Sequence, residues 1–200
     1  MNSLFPPDKI ILDLPDAEIS YYPSFFDESE SEIIFKELLK MIPWQQDEIK
    51  IYGKTYAQPR LTALFGNDGK SYSYSNITMQ PHPWNILLQK IKCKVEEVAE
   101  VNFSTVLLNL YRDGRDSNGW HADDEKELGQ DPIIASLSFG AERYFHLKHK
   151  SNKDLKQKIL LENGSLLLMK GSTQHHWLHQ IPKTAKPIEP RINLTFRIIK

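Results

Sequence analysis

Arg191-Ile-Asn-Leu-Thr-Phe-Arg-Ile198 alternates without a break. On an extended strand Arg191, Asn193, Thr195 and Arg197 share one face, and Ile192, Leu194, Phe196 and Ile198 share the other. The second face asks for a hydrophobic core. The first sets two permanent cations and two hydrogen-bonding side chains in a row, which an ordinary solvated face has no need to do. About 20 Å of backbone separates the two arginines at roughly 3.3 Å per residue. Side chains folding inward from both ends can bracket a small dicarboxylate, each guanidinium offering a fork that fits a carboxylate. A solvated cationic edge strand is the plain alternative on spacing alone.

Working back from that strand, the chain from residue 104 onward reads as strand after strand. Ser104–Tyr111, 133–139, 142–149, 156–161, 165–169, 175–180 and 191–198 each run apolar or alternating, with Gly, Asn, Asp or Pro between them. The expected fold is therefore mainly β with flanking helices (α+β): an antiparallel two-sheet jelly roll, or double-stranded β-helix. Such a fold opens a pocket at one mouth, where residues distant in sequence meet. Two helices are expected outside it. One is capped by Asp27 and runs to about Met41, with Ile33, Ile34, Leu38 and Leu39 turned to the core. The other opens at Pro81 and Pro83 and runs to about Val101.

His121-Ala-Asp-Asp-Glu125 supplies the chemistry. A His and a carboxylate two residues apart on extended backbone point to one side, so both can reach one metal ion. A second His from a distant strand would complete a two-His-one-carboxylate face. That set suits Fe(II) and leaves three adjacent positions for a cosubstrate and O₂. A ferrous site beside a dicarboxylate cradle points to an oxygenase that consumes 2-oxoglutarate. His175, His176 and His179 are the candidates for the second His; His175 and His179 share a strand face but sit about 13 Å apart, so one metal cannot take both. Spacing does not choose among them. A loop His beside acidic capping residues is the bland reading of the short motif.

Composition sets the outer limits. Two hundred residues, 40% of them apolar, suit a single domain, 1–200, with a sizeable core. A formal charge of −1 means that any nucleic-acid binding must come from a local patch. The basic run Arg143 to Lys158 is the one candidate: Lys148, Lys150, Lys153, Lys156 and Lys158 make either a solvated hairpin or a phosphate-contacting arm with salt-dependent binding. The lone Cys93 excludes an internal disulfide framework and is expected buried in its helix. With no signal-like leader and no apolar run long enough to span a bilayer, an intracellular protein is expected, cytoplasmic if bacterial and nuclear if eukaryotic, with no membrane partner.

Asn109-Leu-Tyr111, His121-Ala-Asp123-Asp-Glu125, Ile134-Ala-Ser-Leu-Ser-Phe-Gly140, Asn163-Gly-Ser-Leu-Leu167, His176-Trp-Leu-His179-Gln-Ile-Pro182 and Pro190-Arg-Ile-Asn-Leu-Thr-Phe-Arg197 occur in one order. In that order they resemble the AlkB family of Fe(II)- and 2-oxoglutarate-dependent dealkylases, closest in pattern to the animal homologues that act on duplex DNA. The resemblance covers the chain from about residue 50 to its end.

The resemblance implies Fe(II) on His121, Asp123 and His179, the last chosen because it precedes Gln-Ile-Pro. It implies 2-oxoglutarate held by Arg191, Arg197, Asn193, Thr195, Asn109 and Tyr111, and O₂ as co-reactant. It divides the chain into an N-terminal scaffold (1–45), a nucleotide-recognition lid (46–80), a supporting helix (81–101) and a catalytic core (104–200). In the lid, Tyr52 matches an aromatic that fills the gap left by a flipped base, with Lys54 beside it, and Tyr72 and Tyr74 match rings lining the base pocket. Glu125 matches an acid near the base amino group. Asp124 is expected to hold a cation behind the metal, with Arg60 as the partner. The implied activity is oxidative demethylation of 1-methyladenine and 3-methylcytosine in DNA, duplex favoured and single strands possible, by a monomer, releasing succinate, CO₂ and formaldehyde. The same chemistry on RNA or on a substrate that is not nucleic acid, and a catalytically silent damage-binding module, are the rivals.

Overall fold

The computed structural model describes residues 8–51, 54–67, 72–74 and 77–200, with residues 49–51, 72–74 and 77–79 described as backbone only. The elements in order are β1 (Ile10–Leu12), β2 (Glu18–Tyr22), α1 (Glu28–Met41), β3 (Glu48–Ile51), β4 (Lys54–Ala57), β5 (Leu61–Gly66), β6 (Tyr72–Tyr74), β7 (Ile77–Met79) and α2 (Ile86–Ala99). They continue with β8 (Thr105–Tyr111), β9 (Asn118–His121), β10 (Ile134–Gly140), β11 (Arg143–His149), β12 (Lys156–Leu161), β13 (Leu166–Lys170), α3 (Thr173–His176), β14 (Trp177–Ile181) and β15 (Arg191–Arg197).

A seven-stranded sheet in the order β1-β2-β13-β10-β15-β8-β5 faces a four-stranded sheet in the order β12-β11-β14-β9. All ladders among the described residues are antiparallel, and the two large sheets form the expected double-stranded β-helix. Two small hairpins, β3-β4 and β6-β7, lie in the stretch expected to form a lid. The alternation of β15 does what its pattern asks. Ile192, Leu194 and Phe196 join Ile34, Leu38, Leu88 and Val95 in a core between the large sheet and the helices. Arg191, Asn193, Thr195 and Arg197 turn the other way, into the space between the sheets. The strand is central, paired on both sides, and not a solvated edge.

Helix α1 starts where Asp27 predicts. Asp27 accepts from the Glu30 backbone N–H at 2.8 Å, and the Glu30 side chain reaches back to the Asp27 N–H. Ile34 and Leu38 are buried as expected, but Ile33 and Leu39 are 57% and 40% exposed, because the buried stripe follows Ser31, Ile34 and Leu38 and leaves them on its flanks. Helix α2 begins at Ile86, not at the prolines, with Asn85 accepting from the Leu88 N–H. Proline disfavours helix in the residue before it. His82 lies extended against β5 instead, donating its N–H to the Leu64 carbonyl. Cys93 is exposed on α2, contrary to expectation, between Lys92 and Lys94 on the side away from Ile91 and Val95. His175 and His176 belong to the helical turn α3 and not to a strand, so β14 starts only at Trp177.

Candidate metal and dicarboxylate site

Strands β9 and β14 pair so that His121 and His179 stand directly opposite each other. Their ring centroids are 4.2 Å apart. The chain leaves β9 and returns Asp123 to the same point, where its Oδ1 lies 3.8 Å from His121 Nε2. One ligating atom from each of His121, Asp123 and His179 falls within 4.8 Å of the others. His121 Nδ1 lies 2.7 Å from the Gly119 carbonyl, to which it donates; that fixes the tautomer and makes Nε2 the acceptor nitrogen, which takes the Asn118 amide at 3.1 Å. Burial pushes the His121 pKa down against the pull of Asp123. Burial, aided by His121 and Arg197, pushes His179 down to about 3. Both imidazoles are therefore neutral, the form a metal needs.

Asp123 is buried beside Arg197, whose Nη2 donates to its Oδ2 at 2.9 Å. Burial alone would raise the carboxyl pKa; nearby positive charge wins and holds it at about 2. Arg197 is the largest of the groups that hold it down. Asp123 Oδ1 takes part in no hydrogen bond among the described residues. The Asp123 N–H is anchored by Gln174 Oε1 at 2.9 Å, so a buried glutamine that no motif flagged sets the position of this carboxylate. Two neutral nitrogens and one ionised oxygen with a spare lone pair suit a ferrous ion.

Across the pocket Arg191 is almost wholly buried. Its Nη2 donates to Ser138 Oγ at 2.9 Å, its guanidinium lies 5.2 Å from the Tyr111 ring centre, and its Nε and Nη1 meet no hydrogen-bond partner among the described residues. Burial lowers its pKa to about 10, which still leaves it charged at neutral pH. A buried cation with two unused donors fits a carboxylate. Between the two ends runs a polar ladder. Asn193 Nδ2 donates to Ser136 Oγ and the Leu137 carbonyl, Thr195 Oγ1 donates to Asn193 Oδ1, and Asn109 sits opposite Asn193 across β8 and β15. Ser136 and Ser138 alternate along β10 on the pocket side; their period was visible, but serines on a strand do not announce a partner.

Several expectations change. Arg60 is buried behind Asn109, donating from Nε to Asn109 Oδ1 at 2.7 Å and from Nη1 to the Ser117 carbonyl. Asp124 does not pair with it; Asp124 is exposed and bridged to Lys150 at 3.1 Å, because successive residues diverge once Asp123 turns inward. Arg143 does not belong to the exposed basic run either. It is buried, with its guanidinium donating to the carbonyls of Asp113, Asp116 and Pro182. Glu125 is half-buried, its Oε2 has no partner among the described residues, and burial and the neighbouring Asp123 charge raise its pKa. Lys54 is exposed on β4. Tyr52 lies outside the described residues, as do the side chains of Tyr72 and Tyr74.

A second trio, Asp16, His149 and His176, also lies within ligand range. It is not equivalent. His149 Nδ1 accepts from the backbone N–H groups of Ser151 and Asn152 at 3.3 and 3.1 Å. The neutral ring must then carry its hydrogen on Nε2, the nitrogen 3.4 Å from Asp16. No lone pair is left there for a metal.

Residues 18–197 match the 2OG-Fe(II) oxygenase superfamily. The chain is 44% identical over 192 residues to human alpha-ketoglutarate-dependent dioxygenase alkB homolog 3, an alignment covering 92% of this chain and 66% of that protein. It is 37% identical over 188 residues to the mouse DNA oxidative demethylase ALKBH2, covering 89% and 79% respectively. It thus spans about two thirds of the length of the alkB homolog 3 relative. Among solved structures, that of OsALKBH1 superimposes with a TM-score of 0.66 at 16% identity, covering 94% of this chain and 100% of that one, a likeness of fold.

Proposed function

Because this chain belongs to the AlkB family of the 2OG-Fe(II) oxygenase superfamily, we propose that it removes alkyl groups oxidatively from ring nitrogens of DNA bases. The observation that carries the reading is the pairing, across one pocket, of a His-Asp-His face with a buried guanidinium, two of whose donors are unused among the described residues. His121, Asp123 and His179 would hold Fe(II). Arg191, helped by Tyr111, would take the far carboxylate of 2-oxoglutarate. Arg197 holds Asp123 ionised and stands near enough to the metal face to meet the near carboxylate. Asn109, Asn193 and Thr195 line the space between. When bound, iron, O₂ and 2-oxoglutarate supply a hydroxylation of the N-alkyl carbon with release of succinate and CO₂; the N-hydroxymethyl product then loses formaldehyde.

The protein's own part is positional. Phe145, stacked on His179 with centroids 5.1 Å apart, keeps that ring from turning. Arg60 fixes the amide of Asn109. Glu125, whose carboxyl pKa is pushed upward by burial and by the Asp123 charge, is proposed to meet the amino edge of the base. A base inside a duplex cannot reach a site between two sheets, so it must be extruded and gripped between rings, the role proposed for Tyr52, Tyr72 and Tyr74 with Lys54 on the backbone. 1-Methyladenine and 3-methylcytosine are the proposed lesions, with duplex DNA favoured. Mass spectrometry of duplex, single-stranded and RNA oligonucleotides carrying 1-methyladenine, after incubation with protein, iron, ascorbate and 2-oxoglutarate, tests this. Loss of one methylene mass from the DNA strands is expected; turnover of RNA alone, or of none, would overturn it.

A further inference from the structure

Alternation along the small sheet sends His121, Phe145 and His179 inward to the pocket, and Leu147 is buried in the core beside them. Trp120, Tyr144, His146, Lys148, Lys156 and Lys158 go outward. That outer face has an unusual make-up. Trp120 and Tyr144 are 39% and 46% exposed, though both are large aromatic rings. Lys148 stands directly opposite Lys156, and His146 opposite Lys158, in the β11-β12 ladder. Like charges facing each other across a ladder are destabilising. In a chain with 25 basic and 26 acidic residues a structural surface would be expected to neutralise them. Yet among the described residues Lys148, Lys156 and Lys158 form no ion pair, whereas nearby Lys150 is paired with Asp124. Two of these ammonium groups rest over the rings instead, Lys148 at 4.3 Å from the Trp120 centre and Lys158 at 3.6 Å from that of Tyr144. Beside Trp120 lies an open groove of about 380 Å³ lined by Leu147, Gln157, His146 and the three lysines.

We propose that this outer face is a track for a single nucleic-acid strand, with bases stacking on Trp120 and Tyr144 and phosphates meeting Lys148, Lys156 and Lys158. The inference rests on the reading of the pocket as a DNA-dealkylation site and names the route of the strand beyond it. Rings flanked by cations are what sequence-tolerant strand binding uses. The lysines need only swing from ring to phosphate, which frees the ring faces for bases. Strand β9 is the edge of its sheet and carries His121 on the inner side and Trp120, its neighbour in the chain, on the outer. A strand that delivers a base to the pocket can therefore continue over that edge onto the groove.

The test uses the whole chain with Mn(II) and 2-oxoglutarate and a fluorescent DNA of about 15 nucleotides, within the span such grooves occupy. Binding is followed by anisotropy against NaCl concentration. In the triple variant Lys148→Gln, Lys156→Gln, Lys158→Gln the slope of log affinity against log salt is expected to fall by about 2, at about 0.7 per phosphate contact on single strands. Trp120→Leu is expected to weaken binding about tenfold. Tyr144→Leu, remote from the His121 neighbourhood, should do likewise and keeps the stacking claim testable if the Trp120 change disturbs the metal face. With iron, the ratio of KM for a methylated trinucleotide to KM for the longer strand should collapse in the triple variant. An unaltered salt slope in that variant overturns the proposal. So does polyglutamate competing as well as DNA while both aromatic changes cost nothing. If the wild type leaves the trinucleotide methylated, it is the dealkylation reading that fails, and the slope still decides the strand track.

Discussion

Arg191→Met separates binding from folding more cleanly than any other change in the pocket. The wild-type guanidinium is buried, satisfies one of its nitrogens on Ser138 and leaves Nε and Nη1 without partners among the described residues. If those donors receive the far carboxylate of 2-oxoglutarate, removing them leaves a desolvated anion unpaired, a loss of about 2–5 kcal/mol for truncation of one member of a buried charge pair. Taking the middle of that range, affinity for 2-oxoglutarate falls about 100- to 1,000-fold at about 1.4 kcal/mol per decade. Thermal denaturation with Mn(II) in place of iron reads this without turnover. At 2-oxoglutarate about 100 times its wild-type Kd, the wild type gains about 2.7 kcal/mol. That is a rise of about 5–10 °C for a chain of this size, at about 2–4 °C per kcal/mol. The same concentration moves the variant by about 1 °C or less. Without cosubstrate the variant should be about as stable as the wild type, because methionine keeps most of the volume and removes an uncompensated buried cation. A variant that keeps the full 2-oxoglutarate shift would refute the assignment of Arg191.

Other changes probe the rest of the frame. Asp123→Ala should abolish turnover and also destabilise the metal-free protein by about 3–5 kcal/mol in urea, since it strands Arg197 in the interior; adding Arg197→Met should recover most of that, and a purely additive double variant would deny the pair. Gly140 has φ +83°, and a Cβ there would lie 2.6 Å from the Phe35 ring and the Pro190 carbonyl. Gly140→Ala should therefore cost about 2–4 kcal/mol, combining left-handed strain with a clash, and a change under about 1 kcal/mol would show that the β10 end yields freely. Burial lifts the Tyr21 phenol to about 12 in the folded protein. A folded pKa above the unfolded one gives stability that is intact below about pH 10 and lost as pH rises towards 12, on the order of 1–2 kcal/mol. Urea melts of wild type and Tyr21→Phe should converge across that window, and parallel curves would contradict it.

The period of Arg191 to Ile198 was enough to place one face in the core and the other in the pocket, because strict alternation leaves a strand no second way to lie. The jelly roll was likewise legible in the succession of short strands. What stayed hidden was who faces whom. Arg197 and Asp123 are 74 residues apart, and nothing local says that the arginine is already engaged by the carboxylate it helps to ionise. Gln174, which holds the Asp123 backbone, sits in a turn where the histidine-rich sequence read as strand. Arg143 looked like part of a basic surface and is instead a buried clamp on three carbonyls, because composition cannot distinguish a solvated cation from one satisfied by backbone oxygens. The resemblance implied Asp124 and Arg60 as partners, yet Asp124 pairs with Lys150 and Arg60 with Asn109. Helix faces erred at Ile33 and Leu39 for a similar reason: on α1 more residues are apolar than the sheet beneath it can cover.

The most direct check is anomalous diffraction from crystals grown with Mn(II) and 2-oxoglutarate in the absence of oxygen. One manganese peak bound by His121, Asp123 and His179, with the far carboxylate of 2-oxoglutarate on Arg191, is the expected result. A manganese peak at Asp16, His149 and His176, or none among residues 121, 123 and 179, would contradict it.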